Sequence, residues 1–241
     1  MTHPLRPASP FQLELQKHLD ARIRKQDDGG RRRQILVAVL QEWSEVGPAE
    51  AHMVQIAKRA KQSTATLYRL YPEPSDLFKD ALSFGDSLFA EAMMRPFDHP
   101  NPLMRLTDMV ENFAETLDEP LVQNLLVARI LQRHITHSAE NPSNLETLKQ
   151  IHAHWFAILQ AYVEQGFLLA KRPDILFRRL VGPIERKSLG TFFMSTKPYE
   201  PQGGWRAEAV KSVEAFFTIY GTPRFHDDRQ TYNWNWSLDH G

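Results

Sequence analysis

Two short amphipathic runs between Met53 and Tyr71 constrain this chain more than any other feature. Ile56, Ala57 and Ala60 fall on one face of the first run, and Leu67 and Tyr71, four residues apart, share a face of the second. The spacing predicts helices over 52–60 and 64–70 joined by a very tight connection. Ser63 stands where a side-chain oxygen caps a new helix, and the small side chains of Ala57 and Ala60 let the two helices approach closely. The outer face of the second helix offers Ser63, Thr64, Thr66, Tyr68 and Arg69, all hydrogen-bonding, aromatic or cationic. Two crossed helices with such an outer face predict a helix-turn-helix that reads double-stranded DNA.

The flanking sequence supports an all-α fold. Apolar residues recur at three- and four-residue spacing, and Pro, Gly, Asn and Asp punctuate the segments. Residues 1–9 are expected to be disordered. Phe11, Leu15, Leu19 and Ile23 predict a helix over 10–26, broken by Asp27-Asp28-Gly29-Gly30. A helix over 31–46 carries Ile35, Leu36, Val39, Leu40 and Trp43 and ends at Gly47-Pro48. Another starts near Pro74 and carries Leu77, Phe78, Ala81, Leu82 and Leu88. Longer helices are expected over 101–117, 120–138, 143–170, 173–195 and 204–220. The third of these has the cleanest stripe: Leu145, Leu148, Ile151, Trp155, Ile158, Leu159, Tyr162 and Gly166. The tail from Thr222, with Tyr232, Trp234 and Trp236, shows no helical period. The expected organisation is an N-terminal extension (1–30), a three-helix DNA-binding domain (31–78), a larger helical ligand-binding and dimerisation domain (79–221) and a tail (222–241).

From Arg32 to Phe78 the chain resembles the N-terminal domain of the TetR/AcrR family of transcriptional regulators. The matching features are the apolar first helix, the Ile56-Ala57 pair, Ser63, Thr66-Leu67-Tyr68, Tyr71-Pro72 and Asp76-Leu77-Phe78, in order and at the right spacing. After Pro100 the helix layout is also similar, including Gly166, Asp174 and Gly182-Pro183. The resemblance implies a homodimer joined through its last two helices, placing two recognition helices on successive major grooves of a palindromic operator. It also implies a repressor released by a small-molecule effector. The sequence offers no nucleophile–base pairing, no phosphate-cradling glycine loop and no cofactor fingerprint, so neither catalysis nor a cofactor is expected.

Lys61 stands where the family usually has a turn glycine, and Gln62 where it has a small apolar residue. Pro74 replaces a phosphate-contacting lysine, Leu70 a histidine, and Ala51-His52 a Thr or Ser cap. If Lys61 keeps the left-handed backbone, it costs on the order of 1 kcal/mol. Compensating cations are close by: Arg31, Arg32 and Arg33 precede the first helix of the domain, and Lys61 itself lies towards the DNA. The DNA-contact candidates are therefore Arg31, Arg32, Arg33, Lys61, Ser63, Thr64, Thr66, Tyr68 and Arg69.

The formal net charge is zero, but it conceals an asymmetry. Residues 1–71 carry 12 Lys and Arg against 7 Asp and Glu, a net of +5, and the remainder carries 17 against 22, a net of −5. A basic end suits a phosphate partner. In the second domain, the effector candidates are Phe113, Leu126, Arg129, Ile130, Arg133, His134, Trp155, Leu159 and Tyr162, each of which also fits ordinary core. An arginine facing the cavity would favour an acidic or carbonyl-bearing effector. Apolar faces for dimerisation come from Ile175, Leu176, Leu180, Ile184 and Leu189, then Val210, Val213, Phe216, Phe217 and Tyr220.

Two other readings fit the residues. His134 and His137, three apart, and His152 and His154 on the next helix allow a metal sensor to be imagined, but His152 and His154 point to different faces and cysteine is absent. A helical protein of the same fold acting through a protein partner instead of DNA is the other. No apolar run is long enough to span a bilayer, and the N-terminus lacks a signal-peptide pattern, so a cytoplasmic protein is expected.

Overall fold

Proline at the first helical position lacks an N–H that would be unpaired there anyway, and its fixed φ suits a helix start. Seven of the eleven helices among the described residues open this way. The computed structural model describes residues 9–20, 28–136, 142–194 and 199–231. The helices are α1 (Pro10–Asp20), α2 (Asp28–Val46), α3 (Met53–Arg59), α4 (Thr64–Leu70), α5 (Pro74–Met93), α6 (Pro102–Leu117), α7 (Pro120–Thr136), α8 (Pro142–Glu164), α9 (Pro173–Met194), α10 (Gly204–Tyr220) and α11 (Pro223–Thr231). Among the described residues, extended pairing is limited to a single bridge between Leu168 and Gly221. The fold is all-α, as the periodicity predicts.

The chain divides into two compact units, Met1–Ala92 with Glu119–Leu148, and Met93–Asp118 with Lys149–Gly241. This division crosses the 79–221 segment expected from sequence, because most of α5 and all of α7 belong with α2.

Helix α2 is the centre of the first unit. Ile35, Val39, Leu40 and Trp43 are buried, and so are Val37 and Ala38. More than one stripe is covered because α1, α3, α4 and α7 all pack on α2. Phe11 of α1 is fully buried. Ser9, expected to be disordered, donates to Glu119 at 2.8 Å, and Gln12 donates to the same carboxylate at 3.2 Å. The side-chain amide of Asn124 in α7 donates to the carbonyl of Trp43 at 2.9 Å. On α5, a Cβ added at Gly85 would lie 2.5 Å from Leu125 Cδ2, so the missing side chain lets α5 and α7 approach there. One residue on, buried Asp86 is ion-paired with Arg129 of α7.

The break expected at Asp27–Gly30 is corrected by the structure: Asp28, Gly29 and Gly30 form the first turn of α2. A carboxylate is favoured beside the exposed amides of a helix start, and Asp28 also pairs with Arg31 one turn on, at 3.5 Å. Together these offset the poor helix propensity of two glycines. Residues 21–26 of the expected first helix lie outside the described residues.

In the second unit, the inward stripe of α8 is Ile151, Trp155, Leu159 and Tyr162, all buried. Leu148, assigned to the same stripe, is exposed, so the buried pattern starts one turn later. The helix also ends at Glu164 and not at 170. Gly166 has φ +74°, its N–H bonds the carbonyl of Val163, and the N–H of Phe167 bonds that of Tyr162, both at 2.9 Å. This pair of bonds around a left-handed residue closes a helix. The tail is a further correction, because α11 follows Thr222. The Thr222 hydroxyl accepts from the N–H of Phe225, and Phe225 stacks on Phe217 at 4.2 Å, fully buried. A capping Thr followed by Pro was the available signal. Tyr232, Trp234 and Trp236 lie outside the described residues.

Candidate nucleic-acid interface

The turn between α3 and α4 is made by the backbone of α3 itself. The N–H of Lys61 bonds the carbonyl of Lys58 at 3.1 Å, and the N–H of Gln62 bonds that of Ala57 at 3.0 Å. This arrangement needs a left-handed residue at its centre, and Lys61 has φ +54°, the one non-glycine residue with positive φ among those described. The lysine therefore sits where glycine is easiest, as its replacement of the usual glycine implied. Gln62 is half-buried under the turn, where its amide donates to Gln34 at 2.9 Å, so a polar residue is accommodated by a polar neighbour on α2. Ser63 then caps α4, its hydroxyl accepting from the N–H of Thr66 at 3.0 Å.

With Ile56, Ala57, Leu67, Leu70 and Tyr71 buried, the orientation of α4 is set. Leu70, which stands in place of a family histidine, is core. Ser63, Thr64, Tyr68 and Arg69 face outward, Tyr68 with 46 % of its surface exposed. Thr66 is half-buried, with its hydroxyl 2.9 Å from that of Ser63. The geometry thus brings Ser63, Thr64 and Tyr68 onto one exposed surface, with exposed Lys61 at the turn before it.

The arginines differ from one another. Arg32 lies over the ring of Tyr71, 4.9 Å from its centroid, and the Tyr71 hydroxyl donates to Asp80 at 3.2 Å. Burial pushes the Tyr71 phenol above its ordinary range. Arg31 is beside Asp28, and Arg33 is exposed. The guanidinium of Arg69 makes two bonds to the Asp28 carboxylate, at 2.9 and 3.2 Å. Arg59, which sequence reasoning passed over, ties α3 to α2: it donates to Glu42 at 3.0 Å and to Glu45 at 2.7 Å, and its hydrogen bonds hold the Glu45 carboxyl below the usual carboxylate range. The signal was two carboxylates three residues apart on α2, facing a helix that ends in a cation.

Solved structures share this layout. A protein of Mesorhizobium loti described as a TetR-family transcriptional regulator matches 82 % of this chain and 100 % of its own, with 17 % identity and a TM-score of 0.64. A TetR transcriptional regulator of Agrobacterium tumefaciens matches 81 % of this chain and 97 % of its own, with 19 % identity and a TM-score of 0.59. This chain has the TetR-regulator fold. A transcriptional regulator of Saccharomonospora viridis, solved in complex with choline, matches 81 % of this chain and 100 % of its own at 18 % identity and a TM-score of 0.58. No family model and no curated protein matches the sequence.

In the TetR-regulator fold as this chain builds it, the nine effector candidates divide between the two units. Leu126, Arg129, Ile130, Arg133 and His134 lie on α7 in the first unit, and Phe113, Trp155, Leu159 and Tyr162 lie in the second. Ile130 is exposed, and the Arg129 guanidinium is engaged by the buried Asp86 carboxylate. The four candidates of the second unit are all buried. Phe113, Trp155 and Phe177 meet edge to face at 5.4–6.3 Å, and His152 and Phe156 stack at 5.6 Å beside them. The Tyr162 hydroxyl donates to the carbonyl of Pro102 at 2.7 Å, and burial pushes its pKa up to about 12.

Of the expected dimer faces, Leu176, Leu180, Ile184, Val213, Phe216 and Phe217 are buried within a single chain, whereas Ile175 is exposed, as is Ile219 on α10. The two helices are joined by the Lys187–Glu208 ion pair and by the Ser212 hydroxyl, which donates to the carbonyl of Leu180 at 2.7 Å. Among the described residues, no group of three or more His, Cys, Asp or Glu is placed to hold a metal ion. His137 lies outside them. Nor is any helix of the described residues long and apolar enough to cross a membrane.

Proposed function

We propose that the chain is a dimeric transcriptional regulator that binds a palindromic operator through α4 and is released from it by a small molecule, acting as a repressor. The observation that carries this reading is the capped, tightly turned α3–α4 pair, which presents Thr64 and Tyr68 outward on a helix seven residues long. A helix of that kind fits the major groove, where hydroxyl and phenol groups reach base edges. Lys61, Arg31, Arg32 and Arg33 supply cations around it for phosphate.

Pairing through α9 and α10 is favoured by exposed Ile175 and Ile219 and by a groove of about 350 Å³ lined by Ile184, Phe216 and Tyr220. Effector uptake in the second unit is favoured by its aromatic interior and by the choline-bound regulator of similar fold. The decisive measurement is salt-dependent binding of the purified protein to the promoter DNA beside its own gene. Selective binding lost in Tyr68→Ala and Thr64→Ala is the expected result; weak binding without sequence preference, unchanged in both variants, refutes it. A second reading, a helical protein acting through a protein partner, is favoured by one observation: the only cation of α4 is already paired with Asp28.

A further inference from the structure

Arg69 is the single cation of α4, and it is turned onto the first residue of α2. Its two terminal nitrogens donate to the two carboxylate oxygens of Asp28 at 2.9 and 3.2 Å, a paired, two-point contact. Both side chains are more than half exposed, 54 % for Arg69 and 55 % for Asp28. An ion pair at such a surface contributes little to folding stability. Its consequence lies instead in what Arg69 presents to an incoming polyanion. A carboxylate offers the same arrangement of two oxygens that a phosphate offers to a guanidinium.

We propose that Asp28 is an internal rival of DNA phosphate for Arg69, holding the one cation of the recognition helix away from the backbone. Binding then depends more on the side chains that read bases, and sequence-independent attraction is reduced. The contact exists because α2 starts at Asp28: a chain broken at Gly29-Gly30 would leave the carboxylate with no fixed position. Arg31 shares Asp28, so the three side chains together carry one net positive charge where two free arginines would carry two. Asp28 is held below the usual carboxylate range, chiefly by the hydrogen bonds from Arg69, and is therefore ionised at neutral pH.

This inference rests on the DNA-reading function proposed above, and the test separates the two. Wild type, Asp28→Asn, Arg69→Ala and the double variant are titrated with a duplex of random sequence and with the promoter duplex, between 50 and 200 mM salt. Releasing Arg69 to one more phosphate steepens the slope of log K against log salt by about one, so the gain in affinity of Asp28→Asn over wild type falls about fourfold across that range. The gain is expected to be larger on random duplex than on promoter, and to fall to the smaller part that release of Arg31 supplies when Arg69 is already alanine. Intact promoter binding with an unchanged slope in Asp28→Asn overturns the proposal alone. A gain undiminished in the Arg69→Ala background also overturns it, because the effect is then one of general charge. No duplex binding by any of the four proteins overturns the DNA-reading function and this inference with it.

Discussion

Helices α4 and α8 are built on the same three- and four-residue spacing and use opposite faces of it. In α4 the apolar positions Leu67 and Leu70 anchor a seven-residue helix, and the chemistry is on the outside, at Thr64 and Tyr68. In α8 the distinctive residues Trp155, Leu159 and Tyr162 are on the inside, packed among rings of the second unit. An outward face can be changed with little effect on the fold, whereas an inward one cannot. Function and stability are therefore separable in α4 and entangled in α8.

That contrast can be broken experimentally, beginning with the largest effect. Trp155→Ala removes a fully buried ring in contact with Phe113 and Phe177, and is expected to cost about 3–5 kcal/mol of stability in chemical denaturation. A cost below about 1 kcal/mol would mean that the ring borders open space, as an effector chamber requires. Tyr68→Ala is expected to leave the denaturation midpoint nearly unchanged while weakening promoter binding by about 1–3 kcal/mol; a destabilised protein with unaltered binding would reverse the roles assigned to the two helices. Ser63→Ala removes the cap of α4 and is expected to lower stability by about 1 kcal/mol, with Ser63→Gly milder. Lys61→Gly is expected to raise stability by somewhat less than about 1 kcal/mol, because the left-handed backbone is no longer strained. It also removes a positive charge beside the recognition helix, so tighter folding with a shallower salt dependence of DNA binding would sharpen the distinction.

How much could be read beforehand follows from where the information is stored. The bounds of α4 and α10 match those read from sequence, because Ser63 and Gly203-Gly204 mark their starts and the apolar spacing is regular. The departures have local causes. Asp28, beside the exposed amides of the first turn and paired with Arg31 one turn on, carries a helix start through two glycines. Gly166 stops α8 through backbone conformation, although the same glycine fits the end of an apolar stripe. Helix α11 has one buried residue, Phe225, too few to set a period, but Thr222-Pro223 announces it. At the candidate interface, residue types and their order were sufficient to place Ser63, Thr64 and Tyr68 on one surface. The engagement of Arg69 by Asp28 and of Arg129 by Asp86 was not legible, since both pairs join residues distant in sequence.

In the last turn of α2 the carbonyl of Trp43 is met by Asn124, and α1, with buried Phe11 and tied to Glu119 through Ser9, packs on the same helix. A graft of residues 31–78 alone onto another regulator would leave those groups behind. Transplanting operator preference by exchanging a contiguous N-terminal cassette would thus strip α2 of part of its support. The natural unit of exchange is discontinuous, with α7 travelling alongside a segment that it adjoins in space but not in sequence.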